Sequence, residues 1–103
     1  MKKEAYVYIL TNYEETTLYI GVTSDLEKRV YEHKNNITDG FSSQYKLDKF
    51  IYFEHLSSIH DAIRREKQLK NWHRQWKINL IKEFNPNFDD LSQRWQDAET
   101  SSA

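Results

Sequence analysis

The chain contains no cysteine, a single proline and only two glycines. Without cysteine there is no disulfide framework and no thiolate metal site, which fits a reducing, cytoplasmic setting. Apolar runs last only a few residues, far short of the roughly 20 that a membrane-spanning helix needs. Lys2 and Lys3 near the start are followed by no apolar core segment, so no signal peptide is expected. Without secretion, the glycosylation sequon Asn36-Ile37-Thr38 reads as chance. Excess charge of one sign is also missing, the formal total being −1, but that total hides an asymmetry. Residues 60–82 hold seven basic side chains (Arg64, Arg65, Lys67, Lys70, Arg74, Lys77, Lys82) against Asp61 and Glu66, net +5. Residues 83–103 hold five acidic side chains (Glu83, Asp89, Asp90, Asp97, Glu99) against Arg94, net −4. A basic segment followed by an acidic tail bears on partners more than the sum does.

What is present is enough for one core. At 103 residues, with 30% charged and 15% aromatic side chains, the chain is a single globular domain. Ala5 to Leu10 alternates as a strand, with Tyr6, Tyr8 and Leu10 on one face and Val7 and Ile9 on the other. Asn12 to Thr16 is a hairpin turn into a second strand, Thr17 to Thr23. With Val7, Ile9, Leu18, Ile20 and Val22 facing the core, Tyr8, Tyr19 and Gly21 lie together on the opposite face. Glycine inside a strand weakens it unless something must approach the backbone closely. Ser24 opens a helix of about Asp25 to Lys34, with Glu27 completing a capping-box pattern. On that helix Leu26 and Val30 are the apolar stripe, and Arg29 and His33 sit one turn apart on its edge.

A polar loop with Gly40 spans Asn35 to Lys46, and Lys49 to Leu56 has the aromatic and β-branched content of a third strand. Ser57 or Ser58 caps a second helix running to about Asn71, and Trp72 to Phe84 reads as a third, with Trp76, Leu80, Ile81 and Phe84 as its apolar side. Pro86 stops it. The order predicts an α/β fold, a three-stranded antiparallel sheet flanked by about three helices, over residues 1–86. Residues 87–103 read as a loosely ordered acidic tail, with Phe88, Leu91 and Trp95 able to pack back onto the body. On the second helix Ile59, Ala62, Ile63 and Leu69 recur at helical spacing, and Glu66 falls in the middle of their stripe. Carboxylates are seldom buried without a partner, so Glu66 is either ion-paired, by an arginine in the simplest case, or a metal ligand.

Tyr6-Val7-Tyr8 and Tyr19-Ile20-Gly21 on paired strands, an arginine one helix later and a glutamate on a following helix together resemble the GIY-YIG nuclease domain. The likeness covers about residues 5–86, and the continuations GVTSDLEKRVYEH and REKQLKNW look most like its small single-domain bacterial branch. One position departs: Tyr6 stands where the family name has glycine. Tyr8, the position that bears on chemistry, is kept. The resemblance implies catalytic roles for Tyr8, Tyr19, Arg29 and His33, a metal-binding role for Glu66, and a site asparagine near the domain's end, Asn85 in preference to Asn79. It also implies a DNA substrate, with a protein partner to supply targeting, since family nucleases that choose sites carry an added DNA-reading region.

These residue types suit phosphodiester hydrolysis. A phenol with a pKa near ~10 becomes a base only where positive charge favours its ionised form. On this reading Tyr19 or Tyr8 positions or deprotonates water, and Arg29 binds the non-bridging oxygens through its planar fork. Glu66 holds a divalent cation, Mg²⁺ first, because that ion keeps several waters and is content with one carboxylate plus phosphate oxygens. One carboxylate in place of a cluster argues against two metals. His33 relays a proton or hydrogen-bonds a tyrosine. Arg64, Lys67, Lys70, Arg74 and Lys77, interleaved with Trp72 and Trp76, are candidates for gripping phosphates and stacking bases.

Each group also has a plain structural reading. Tyr8 and Tyr19 would be cross-strand partners, Arg29 a surface charge, the basic run a solvated face, and the two tryptophans core. His55, His60 and His73 lack a ligand pattern. Two rival functions follow: a nucleic-acid binder that keeps the nuclease fold without cleaving, and a protein-interaction module.

Overall fold

The computed structural model describes residues 4–35 and 46–95. The sequon at Asn36 and the glycine at Gly40 lie outside the described residues. The chain runs β1 (Ala5–Thr11), β2 (Leu18–Thr23), α1 (Leu26–Lys34), β3 (Lys49–Leu56), α2 (Ile59–Asn71) and α3 (Arg74–Phe84). The sheet has the order β2-β1-β3 with both pairings antiparallel, as the element order predicts. β1 is central and buried on both faces, which is why its sequence AYVYILT carries almost no charge-bearing side chain.

The two faces have different coverings. Val7, Ile9 and Ile20 form one core with Ala62 and Leu69 of α2 and Ile81 of α3, and Leu18 and Val22 pack against it. Tyr8 and Leu10 point the other way, into a second core with Leu26 and Val30 of α1, Phe50 and Leu91. The period-two reading of β1 and β2 therefore holds. β3 departs from it: between Ile9 and Leu10 the register slips, so that Ile9 faces Tyr52 while Leu10 faces Phe50. The unpaired Ile51 and its neighbour Tyr52 then both join the first core, a bulge turning two consecutive side chains to one face.

Several expected boundaries shift for local reasons. Asp25, not Ser24, is the N-cap of α1: its carboxylate accepts from the Lys28 N–H, and its own N–H donates to Thr23 Oγ1 at 3.0 Å. Ser58 caps α2 by accepting from the Asp61 N–H at 3.1 Å. The third helix starts at Arg74, because Trp72 (φ −73°, ψ 149°) and His73 (φ −59°, ψ 149°) are extended and break the run from α2. Trp76 and Phe84, expected on its apolar side, are 54% and 45% exposed, and Ile81 carries the burial. Likewise Ile59 and Ile63 of α2 are more than one-third exposed, while Ala62 and Leu69 are fully covered.

Of the two readings of residues beyond Pro86, packing is the one realised as far as residue 95. Phe88 and Leu91 are buried, and the Trp95 ring stacks on Phe50 with centroids 5.3 Å apart. The Leu91 N–H donates to Phe50 O at 2.7 Å, Asp90 accepts from the Phe50 N–H, and Lys34 pairs with Asp90. This segment bonds to β3 at Phe50 and Ile51, and β2 is the opposite edge strand of the sheet.

Candidate active site

Packing and ion pairs set which flank of each helix faces the site. On α2, Arg65 grips Glu54 of β3 with two nitrogens at 3.0 Å. The buried Ala62 and Leu69 seat the helix on the sheet, and Glu66 lies close enough to the Tyr8 phenol to act on it electrostatically. On α1, Lys34 is held by Asp90 beside β3, and Arg29, across the buried Leu26–Val30 stripe, turns toward β2 from the other face of the sheet. Two helices on opposite faces thus present a guanidinium and a carboxylate at one sheet edge.

The sheet adds two phenols there. Tyr8 on β1 lies opposite Gly21 on β2, and its ring leans across the glycine. A Cβ at Gly21 would sit 2.4 Å from Tyr8 Oη, so the bare backbone of this residue is what lets a phenol from the central strand reach the outer edge. The Tyr8 and Tyr19 rings lie 6.3 Å apart. His33 is 2% exposed; its Nε2 is 3.1 Å from Tyr8 Oη, and its ring is 5.1 Å from that of Tyr19.

Electrostatics ties the same groups together. Burial, first, and then the neighbouring Tyr19 phenol push the Tyr8 hydroxyl well above the usual phenol range; Glu66 adds to the rise, and Arg29 opposes it. Tyr8 therefore keeps its proton at neutral pH and shares a hydrogen bond with His33 Nε2. The Arg29 side chain is 43% exposed, with Nε 3.7 Å from Glu32 Oε1, and the Glu66 carboxylate, 20% exposed, lies 3.4 Å from Lys70 Nζ. The partner of Glu66 is thus a lysine one turn on and not the expected arginine, because the neighbouring Arg65 is taken by Glu54. The i, i+4 spacing of Glu66 and Lys70 and the i, i+3 spacing of Arg29 and Glu32 were the sequence signals for both pairs.

Burial also raises the Tyr52 phenol, helped by its hydrogen bond to Glu54. Folding favours the neutral form of both phenols, so the stability they contribute is complete below the unfolded phenol pKa of about 10 and is lost as pH climbs through the higher folded values. Urea denaturation across the alkaline range is expected to show stability falling from about pH 10 upward, with a shallower fall in Tyr52→Phe. An equal slope in that variant would contradict it.

The structure brings Tyr8, Tyr19, Arg29, His33 and Glu66 together and leaves Asn85 elsewhere. The buried Asn85 amide donates to Ile51 O at 3.0 Å and to Asp89 O at 2.8 Å, and accepts from the Asp89 N–H. It fastens the chain after Pro86 to β3, the strand farthest from Tyr19. Asn79 is exposed and bonded to Gln75. Of the basic candidates, Arg64 and Lys67 are exposed on α2, Arg74 is exposed and donates to Glu15 O at the hairpin tip, and Lys77 is half-buried. Lys70 is the one in contact with a site residue. Trp72 is half-buried under the Arg65 guanidinium, 5.2 Å from its ring.

Among the described residues no three His, Asp or Glu side chains converge as a metal site. A single partly exposed carboxylate, that of Glu66, fits a hard, heavily hydrated divalent ion that completes its shell with water and phosphate oxygens, and does not fit a dedicated structural metal. No helix among the described residues is long and apolar enough to cross a membrane.

A three-stranded antiparallel sheet with two tyrosines, an arginine and a glutamate meeting at its free edge defines the class, and comparison with known proteins agrees: the GIY-YIG catalytic domain matches residues 4–79, and the chain belongs to that family. Within it, the chain is similar to UPF0213 proteins of bacteria. That of Staphylococcus saprophyticus is 31% identical over 78 residues, 76% of this chain and 94% of the relative. That of Clostridium perfringens is 37% identical over 76 residues, covering 74% and 81%. The solution structure of a UPF0213 protein from Bacillus halodurans matches in fold, with a TM-score of 0.55 at 21% identity over 87% of this chain and 95% of that one.

Proposed function

We propose that the protein is an endonuclease that hydrolyses DNA phosphodiester bonds with a divalent cation, Mg²⁺ first, held on Glu66. The observation that carries this reading is the meeting of Tyr8, Tyr19, Arg29, His33 and Glu66 from β1, β2, α1 and α2 at an open sheet edge, where a backbone phosphate can reach them. Tyr19, half-buried at that edge, orients the attacking water and takes its proton, aided by the positive charge of Arg29, which favours phenolate. Arg29 receives the non-bridging oxygens and offsets the charge that builds on them as water adds to phosphorus. Tyr8 remains protonated and, locked to His33, holds the floor of the site. The bond from phosphorus to the departing sugar oxygen breaks; Glu66 would hold the divalent cation, which would supply neutralising charge for the departing alkoxide.

The test is incubation of the purified protein with branched, nicked and duplex DNA, in Mg²⁺ or EDTA, beside Arg29→Ala and Glu66→Ala. Nicks or breaks that need Mg²⁺ and vanish in both variants are expected. Binding of DNA without any cleavage, unchanged in Glu66→Ala and steeply salt-dependent, would identify a binder that has kept the fold.

A further inference from the structure

Each charged group of the site rests against an opposite charge on its own helix: Arg29 against Glu32 at 3.7 Å and Glu66 against Lys70 at 3.4 Å. The second pair has a consequence. Lys70 follows Glu66 by one turn on α2, and its side chain is 55% exposed where that of Glu66 is 20%. Its ammonium therefore touches the carboxylate from the solvent side, the side from which a cation and a phosphate arrive. Two cations cannot both press on a lone carboxylate at contact distance without repelling each other. Lysine suits a change of partner: it is a point charge on a flexible stem, and an exposed i, i+4 pair binds its members only weakly.

We propose that Lys70 is a substrate-contacting residue parked on Glu66, which moves to a DNA backbone phosphate when a divalent cation takes the carboxylate. The inference rests on the reading of Glu66 as the cation ligand. Lys70 fills the charge deficit at Glu66 before the cation arrives, so the free site is not a bare acid facing a polyanion. Afterwards it adds a second positive contact to the strand that Arg29 holds. Removing its charge acts in opposite directions on the two ligands: the cation loses a competitor, and DNA loses a contact.

Calorimetric titration of the full chain with Mn²⁺ alone, and binding to a duplex oligonucleotide with Ca²⁺ in place of Mg²⁺, separate these effects. Lys70→Met, which keeps the apolar stem, is expected to bind Mn²⁺ about threefold more tightly. The same variant should bind DNA more weakly, with the slope of log affinity against log salt reduced by about 1. A misfolded variant would lose both affinities together, and loss of both, or no change in Mn²⁺ affinity, overturns the proposal. Glu66→Gln tells the two readings apart. If it binds Mn²⁺ as the natural chain does, the assignment of Glu66 fails and Lys70 falls with it. If Mn²⁺ binding needs Glu66 yet is indifferent to Lys70→Met, the Lys70 inference alone fails.

Discussion

Adding one methyl group at Gly21 is expected to cost the protein about 1–3 kcal/mol of stability and most of its nuclease activity. The backbone gives no reason for this, since no glycine among the described residues has a positive φ and alanine fits strand geometry better than glycine. The whole effect comes from the Tyr8 ring, whose Oη, Cζ and Cε1 lie 2.4, 2.5 and 2.9 Å from where the new carbon would sit. That ring is 1% exposed and bonded to His33, so it cannot swing aside into solvent. Either β1 and β2 separate or the phenol leaves the edge of the sheet, and in both cases the Tyr8–His33 hydrogen bond is lost. A double-mutant cycle isolates the cause: in a Tyr8→Ala background, where the clash has no atoms, Gly21→Ala should become neutral or stabilising. Additive effects of the two substitutions on the denaturation midpoint would refute the account.

The legible part of this site lay in periodicities. Alternation in YVYIL and LYIGV assigned Val7, Ile9 and Ile20 to one face and Tyr8, Tyr19 and Gly21 to the other, because in a strand the two faces are fixed by parity alone. The spacing of Ala62, Glu66 and Leu69 put the carboxylate in the middle of a buried stripe, where the structure leaves its side chain 20% exposed. A helical wheel gives angles but no zero, however. Whether Glu66 or Arg65 would face the free sheet edge depended on Glu54, which is distant in sequence, pairing with Arg65. The same holds for α1, whose roll is tied to Asp90, more than 50 residues away. The same blindness covers β3, where the bulge at Ile51 breaks parity, and Trp76, which sits with apolar neighbours along its helix and yet is turned outward. It also covers Asn85: its place before Pro86 made it a candidate for the site, but its three hydrogen bonds join a turn to a strand edge. Such contacts are set by tertiary structure, and no local pattern announces them.

The two tyrosines, equivalent in the sequence motif, are expected to behave differently when each loses its hydroxyl. Tyr8 is enclosed, its proton is held by burial, and its hydroxyl is hydrogen-bonded to His33 Nε2. Tyr8→Phe removes one buried hydrogen bond to the imidazole, which costs about 0.5–1.5 kcal/mol. Tyr19 is half-buried on the edge strand and packs by its ring against Tyr8 and His33, contacts that phenylalanine keeps. Tyr19→Phe should lower the cleavage rate by about 10²–10⁴-fold, the range for loss of a general base, a loss out of proportion to any shift in the urea midpoint. Because the missing group acts on water in the transition state and not on bound DNA, the loss should fall on kcat with KM little altered. Steady-state cleavage measured beside denaturation for both variants decides the matter. If Tyr19→Phe cleaves within about threefold of the natural chain, a margin far inside that range, the proton goes elsewhere. His33, the next imidazole along the edge, then becomes the group to replace.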